Sequence, residues 1–161
     1  MDHVKFIADG MLGKLTRWLR LLGYDVKYLK DCPDPKLIEI AKNEKRILLT
    51  KDLELYKRSK ILNIQAVLLR GSCLEEDLAQ LAKSGYIKLE VNFQSTRCPL
   101  CNAPLKIVNR TEVKNNIPAK ILQSHDKFWI CSNCGKIYWI GSHWNSISLK
   151  LLKAKQLNRG M

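Results

Sequence analysis

Four of the chain's six cysteines form two C-x-x-C pairs in the C-terminal third of the 161-residue sequence. Each pair places two sulfur atoms on one tight turn, and two such turns complete a tetrahedral shell of four thiolates, which suits zinc. A proline after the first cysteine and a glycine after the last fit the sharp bend of such turns. A redox role is the alternative for a C-x-x-C pair, but two pairs on predicted hairpins favour a metal site. The predicted zinc ligands are Cys98, Cys101, Cys131 and Cys134.

Four thiolates leave no open coordination position, so this zinc is predicted to be structural rather than catalytic. A segment this short buries too little apolar surface to fold alone, whereas zinc binding supplies on the order of 10 kcal/mol. His125 and His143 are not needed as ligands, because the four cysteines already fill the shell.

Carboxylates follow three consecutive predicted strands in the first half of the chain. Asp9 comes directly after the first strand, Asp31 after the second and Asp52 after the third. The carboxyl ends of parallel strands meet at one edge of a sheet, so these groups should lie in one crevice. Clustered carboxylates repel one another unless a cation joins them, and Mg²⁺ or Mn²⁺ prefers oxygen ligands. Such a cation activates water for phosphodiester hydrolysis. The predicted catalytic acids are Asp9, Asp31, Asp34, Asp52 and Glu54, with Asp9, Asp34 and Asp52 as ligands of Mg or Mn.

These acids also have simpler interpretations. Asp34 precedes Pro35, and together they make a good N-cap and first residue of a helix. Asp31 and Glu54, each taken alone, are typical of solvated surface acids. Asp9 and Asp52 are the stronger candidates, because each immediately follows an apolar strand.

Basic and aromatic side chains near both sites are candidates for nucleic-acid contacts. Lys14 and Arg17 lie one turn into the predicted first helix, where they can hold phosphates or simply form a solvated face. The predicted nucleic-acid-binding residues are Lys14, Arg17, Arg20 and Lys51. Four aromatic residues beside the cysteines are candidates either for base stacking or for a small local core. They are Trp129, Tyr138, Trp139 and Trp144.

The elements that must position these groups alternate between strand and helix. Strands are predicted at 4–8, 26–29, 46–50 and 64–69, and helices at 11–22, from Asp34 onward, at 53–57 and at 72–83. Ser72 and Glu75 suggest a capping box at the start of the last helix. Apolar strands separated by helices predict a mainly parallel α/β sheet covered on both faces. We expect an α/β domain at 1–93 and, at 94–161, a small β-rich zinc ribbon with a closing helix through 147–157.

The net charge of +13 is unevenly distributed. Residues 1–95 hold 17 basic against 13 acidic residues, net +4, whereas residues 96–161 hold 11 against 2, net +9. Zinc bound by four thiolates lowers the second value by two, to about +7. An acidic partner is expected, and nucleic acid is the commonest one. A surface adapted to solubility or thermostability is the alternative.

Several classes of protein do not fit the sequence. No stretch approaches the roughly 18–20 apolar residues of a membrane span, so no membrane partner is expected. Free thiols and zinc thiolates suit the reducing cytosol, and we expect a cytoplasmic protein. Neither G-x-x-x-x-G-K-[ST] nor G-x-G-x-x-G occurs, so no nucleotide cofactor is expected.

Five sequence blocks carry a resemblance over almost the whole chain. They are FIADGMLGKL at 6–15, WLRLLGYD at 18–25, ILLTKD at 47–52, CPLCN at 98–102 and YWIGSHW at 138–144. In this order they resemble the PIN-like RNase domain family that ends in a zinc ribbon, named for the C-terminal domain of the Mut-seven exonuclease. The resemblance implies a three-layer α/β domain with a mainly parallel central sheet, whose acids bind Mg²⁺ or Mn²⁺ to cleave single-stranded RNA.

By motif position, the resemblance places the family's acids on Asp9, Asp34 and Asp52, with Glu54 as a frequent second acid and Asp31 as a substitute for Asp34. The residues after the fourth strand, Leu69-Arg70-Gly71, offer no further acid, which leaves open whether one or two metals bind. The predicted function is a metal-dependent endoribonuclease acting on single-stranded or structured RNA. The alternative is a non-catalytic adaptor that binds RNA, a ribosome or another ribonucleoprotein.

Overall fold

The first half of the chain folds around a four-stranded parallel sheet. The computed structural model describes residues 3–160. The strands are β1 (Lys5–Ala8), β2 (Asp25–Tyr28), β3 (Ile47–Thr50) and β4 (Ala66–Leu68). Their order across the sheet is β2-β1-β3-β4, and all three neighbouring pairs are parallel. The predicted α/β class and parallel sheet are therefore confirmed.

Four helices connect and cover these strands. After a short 3-10 turn at Gly10–Leu12 they are α1 (Gly13–Leu21), α2 (Asp34–Asn43), α3 (Leu53–Ile61) and α4 (Leu74–Lys83). Two predicted caps are wrong. Asp34 is the first residue of α2, behind Pro33, and its side chain makes no capping bond. At α4 the carboxylate of Glu76, not that of Glu75, accepts hydrogen bonds from Ser72.

Alternate residues of the central strands face opposite sides of the sheet, as the two-residue period of a strand requires. In β1, Phe6 and Ala8 join a core formed with α1 and α4, whereas Ile7 joins a second core formed with α2 and α3. In β3, Leu49 joins the first of these cores and Leu48 joins the second. The sheet is therefore the middle of three layers, and both faces are apolar because both are covered.

The cysteine-rich segment forms a second, antiparallel sheet. Its strands are β5 (Leu105–Asn109), β6 (Lys127–Cys131) and β7 (Ile137–Tyr138), in the order β5-β6-β7. Two short helices that the sequence did not predict, α5 (Arg110–Val113) and α6 (Ala119–Ser124), lie between β5 and β6. Val108, Val113 and Phe128 form the small core of this segment. We call residues 96–142 the ribbon.

The closing helix α7 (His143–Gly160) returns to the α/β domain. It packs on α4, and its Leu151 and Ala154 belong to the same core as β1 and α1. Lys150 also pairs with Glu75 of α4 at 3.4 Å. The prediction that the closing helix packs on another part of the chain is confirmed. The boundary at 93/94 stays a prediction, since α7 lies beyond it and completes the first core.

Within residues 3–160, no helix combines the length and the apolar character that crossing a membrane requires.

Candidate functional site

An acidic residue follows each of the strands β1 and β3, at the same edge of the parallel sheet. The backbone N–H of Asp9 donates to the carbonyl of Leu49 at 3.0 Å. The hydroxyl of Thr50, which is fully buried, donates to Asp9 Oδ2 at 2.9 Å and accepts from the backbone N–H of Asp52 at 2.9 Å. Thr50 thus joins the loops that carry Asp9 and Asp52 into one hydrogen-bonded unit.

Asp52 also begins helix α3. Its Oδ1 accepts from the backbone N–H groups of Glu54 at 2.8 Å and Leu55 at 3.2 Å, which is an N-cap. Within residues 3–160, Asp52 Oδ2 and Asp9 Oδ1 accept no hydrogen bond from the protein. Each of the two carboxylates therefore keeps one oxygen available for a cation, while its other oxygen fixes its orientation.

The loop after β2 lies directly against the loop after β1. A side chain at position 10 would put its Cβ only 2.2 Å from the backbone oxygen of Lys30, so only glycine fits there. The hydroxyl of Tyr28 donates to the carbonyl of Gly10 at 2.7 Å and holds the two loops together. Asp31, the next residue after Lys30, is exposed on this loop.

The remaining predicted acids lie further from this unit or have partners of their own. Asp34 pairs with Arg58 of α3 at 3.8 Å, and Glu54 is 78% exposed beside Lys57. Within residues 3–160, only the four cysteines form a group of three or more possible ligands whose atoms lie within 4.8 Å of one another. Asp9 and Asp52 are thus joined through Thr50, and among the described residues they form no tight cluster with Asp34.

Asp77 is a further acid at this edge, and the sequence interpretation missed it. Its side chain is 5% exposed, pairs with Lys51 at 2.9 Å and accepts from the backbone N–H of Gly71 at 3.0 Å. The residues directly after β4 include no acid, whereas Asp77 comes from the first turn of α4. The signal available was the acidic run at the start of that helix. Lys51, predicted to contact nucleic acid, is held here by Asp77.

The four cysteines form the group that the spacing predicted. The Sγ atoms of Cys98 and Cys134 lie 3.7 Å apart, and those of Cys101 and Cys131 lie 3.3 Å apart. In a tetrahedral site with Zn–S bonds of about 2.3 Å, the sulfur atoms are about 3.8 Å apart. The donor set and the spacing therefore fit a structural metal such as zinc, and all four ligand atoms lie within 4.8 Å of one another.

Both cysteine turns have the same backbone geometry. Asn102 follows the first pair with φ of 73°, and Gly135 follows the second with φ of 76°. Each donates its N–H to the carbonyl of the first cysteine in its pair, at 2.9 and 3.0 Å. Asparagine and glycine are the residues that tolerate this left-handed conformation best. The two turns are thus a matched pair facing one centre.

The chain matches the family described as "Mut7-C RNAse domain" over residues 4–151. The match covers both the acidic edge and all four cysteines. The chain belongs to this family. No curated protein and no solved structure matches the chain significantly.

In this Mut7-C domain, two of the predicted RNA contacts are exposed. Lys14 and Arg17 lie on the open face of α1, and within residues 3–160 neither forms an ion pair. Arg20 is different, and the prediction for it is corrected. It is 6% exposed, and its guanidinium donates to the carbonyls of Val26 and Pro99 at 2.8 to 3.1 Å. Arg20 therefore holds the ribbon to the α/β domain from inside the protein.

A polar network attaches the first cysteine turn of the Mut7-C domain to β2, the edge strand of the sheet. The side chain of Asn102 accepts from the N–H of Val26 at 3.0 Å and donates to Asp25 at 2.7 Å. Arg46 pairs with the same Asp25 at 2.8 Å. Burial acts to raise the pKa of Asp25, but the hydrogen bonds from Arg46 and Asn102 outweigh it and hold that pKa below its ordinary value.

The metal-free thiols of the Mut7-C domain differ in acidity. The N–H of Ala103 and the side chain of Asn133 lower the pKa of Cys101 to about 6. Burial raises the pKa of Cys131 to about 11. Burial, with a contact to Cys98 at 3.2 Å, also raises the pKa of the Tyr138 hydroxyl. A bound cation takes four thiolates, so binding must displace the proton from Cys131.

Proposed function

We propose that this Mut7-C RNase domain is a divalent-metal-dependent ribonuclease whose acidic site lies at the carboxyl edge of the parallel sheet. Membership of the family supports a ribonuclease-type function and RNA as the substrate. The metal dependence and the site residues are our proposal. One observation supports them most: buried Thr50 orients Asp9 and Asp52 together, and one oxygen of each carboxylate has no partner among residues 3–160.

The proposed ligands of Mg²⁺ or Mn²⁺ are Asp9 and Asp52. Asp34, Asp31 and Glu54 are proposed to add contacts to the cation through water. A cation bound there would supply an activated water and neutralise negative charge on the cleaved phosphodiester. The protein's own contribution is orientation. Thr50 fixes both acidic loops, and Lys14 and Arg17 on α1 hold the phosphates of the RNA strand.

The test is cleavage of a labelled RNA by nuclease-free preparations, with Mn²⁺ or Mg²⁺ added and then removed by a chelator too weak to take the zinc. Asp9→Asn keeps the size of the side chain but removes its charge, so cleavage should collapse while RNA binding and fold persist. Asp126→Asn is the matched control, since Asp126 is 83% exposed on the ribbon. Equal cleavage by Asp9→Asn and wild type would contradict the proposal.

A second candidate is an adaptor that binds RNA, or a ribosome or other ribonucleoprotein, without cleaving it. The observation that favours it is the spacing of the acids: Asp9, Asp34 and Asp52 do not lie within 4.8 Å of one another among the described residues. Wild-type protein that binds RNA tightly but cleaves none with either metal would support the adaptor over the nuclease.

A further inference from the structure

A cleft lies between helix α1, the ribbon and the start of α7. Its volume is about 460 Å³, within the range of about 300–1,000 Å³ that is usual for pockets holding a small organic ligand. Four tryptophans from different parts of the chain line it: Trp18 of α1, Trp129 of β6, Trp139 after β7 and Trp144 of α7. We call it the aromatic cleft.

The tryptophans of this region differ in burial: Trp129 is buried, whereas Trp18, Trp139 and Trp144 are half-buried. Trp129 is 5% exposed, and its indole N–H donates to the carbonyl of Phe93 at 2.9 Å, so it belongs to the fold. Trp144 packs on the ring of Phe93 with a centroid distance of 5.0 Å and remains half-buried. Within residues 3–160, the indole N–H groups of Trp18, Trp139 and Trp144 donate to no protein acceptor. Flat apolar faces with unused donors are suited to a flat ligand that carries acceptors.

The charge around the aromatic cleft has one sign. Arg17, Arg97 and Lys136 line it, and in the part of the chain that the structure describes no acidic residue does. None of these three cations forms an ion pair within the described part of the chain. The ligand that combines flat rings carrying acceptors with regularly spaced negative charges is a single strand of nucleic acid. Proteins that bind such strands use this combination of stacking platforms and basic grooves.

The position of α1 connects the cleft with the acidic edge. Lys14 lies on the first turn of the helix, close behind the turn that follows Asp9, and Arg17 and Trp18 lie one turn further on, at the cleft. The nine residues of α1 span about 13 Å. A strand that leaves the cleft along the basic face of α1 therefore leads towards Asp9.

We propose that the aromatic cleft is a second RNA site, which holds one or two unpaired bases of the strand by stacking while Arg17 and Lys136 bind the flanking phosphates. The proposal rests on RNA being the ligand of the proposed function, but not on its cleavage. It assigns the cleft a distinct task, which is to select single-stranded RNA and position it for the acidic edge.

The test measures tryptophan fluorescence during titration with oligouridylate, and with an abasic oligomer of the same length and charge. No divalent metal is added, so a failure of cleavage cannot affect the result. Stacked bases should quench the cleft tryptophans, and oligouridylate should bind about tenfold or more tightly than the abasic oligomer. Equal affinity for the two oligomers would overturn the proposal, because charge alone would then explain binding.

Substitutions test whether binding takes place in the aromatic cleft. Trp144→Ala should lose about tenfold in affinity for oligouridylate and little for the abasic oligomer, whereas Trp144→Phe should retain most of the affinity. Leu149→Ala is the matched control, since Leu149 lies on the same helix, is 67% exposed and is not part of the cleft. Zinc content and thermal unfolding verify the fold of each variant. Unchanged affinity in a folded Trp144→Ala would contradict the proposal.

Two further outcomes are decisive. Lys136→Gln changes an exposed side chain, so it should fold whether or not Trp144→Ala does. It should weaken the binding of both oligomers alike, and it should lower the slope of log affinity against log salt concentration by about one. An unchanged slope would count against the proposed phosphate contact. A fluorescence change that depends on protein concentration in the absence of RNA would mean that a second copy of the chain fills the cleft, which would also overturn the proposal.

Discussion

Asn102→Gly is expected to loosen the ribbon from the α/β domain without disturbing the backbone of the first cysteine turn. Glycine readily adopts the φ of 73° found at this position, so the turn itself is preserved. The substitution removes two hydrogen bonds, one from the N–H of Val26 and one to Asp25. Because β2 is the edge of the sheet, the N–H of Val26 then has no strand neighbour to replace the lost acceptor.

The expected loss follows from these two bonds. A neutral hydrogen bond contributes about 1 kcal/mol to the free energy of unfolding, and one to a charged group about 1.5–3 kcal/mol. The Asp25 side chain is 22% exposed, so the lower end of the second range applies. The sum is about 2–3 kcal/mol, which corresponds to a fall in Tm of roughly 4–12 °C for a chain of this size.

Asn63→Gly is the matched control for this prediction. Asn63 also has a positive φ, of 56°, but it is exposed, and its side chain makes no hydrogen bond within the described residues. Asn63→Gly therefore makes the same change in backbone freedom as Asn102→Gly but removes no side-chain hydrogen bond. Urea unfolding in the presence of zinc should separate the two variants by about 2–3 kcal/mol. Equal stability of the two variants, with zinc retained in both, would refute the role given to the Asn102 side chain.

Three further predictions concern the metal centre, the acidic edge and the junction. Metal analysis should find about one zinc per chain, and binding at pH 7 should release at least the proton of Cys131; no release, or no zinc, would contradict the thiolate site. Thr50→Val should lower the apparent affinity for Mn²⁺ in cleavage by about 10–100-fold, whereas Thr16→Val, which removes another buried hydroxyl, should leave it unchanged. The pKa of Asp25 is lower in the folded than in the unfolded chain, so its contribution to stability is present above its ordinary pKa of 3.8 and is lost as pH falls towards its folded pKa. In Asp25→Asn, the free energy of unfolding should therefore fall less steeply as the pH is lowered in this range. An unchanged pH dependence would refute the role given to Asp25.

Regular patterns allowed most of the fold to be predicted. The apolar strands and their spacing predicted the parallel sheet, because strands buried on both faces must be apolar throughout. The cysteine spacing predicted the metal group, because C-x-x-C constrains two sulfur atoms locally. Helices α5 and α6 were not predicted, because the signals in this segment do not distinguish a helix from a turn. Asn109 marks a helix start through its capping box with Glu112, yet asparagine is equally typical of a turn.

The contacts between distant segments could not be predicted. Arg20 appears on the polar side of an amphipathic helix, which is typical of an exposed residue. Its burial depends on Pro99, which is 79 positions away in the sequence and arrives only when the ribbon docks. Asp77 reaches the acidic edge through its contact with Gly71 in the loop after β4, a proximity that no periodic pattern encodes. The same is true of the aromatic cleft, because its four tryptophans come from four separate parts of the chain.

Binding of Mn²⁺ to the zinc-loaded protein, measured by electron paramagnetic resonance, decides whether the edge of the sheet holds a metal. Wild-type protein and Asp126→Asn should bind Mn²⁺ alike, and Asp9→Asn and Asp52→Asn should each bind it about 10–100-fold more weakly. Zinc content should be the same in all four proteins, because the substituted residues do not belong to the cysteine group. Mn²⁺ binding that is absent from wild type, or unchanged in Asp9→Asn, would contradict a metal site at the edge of the sheet.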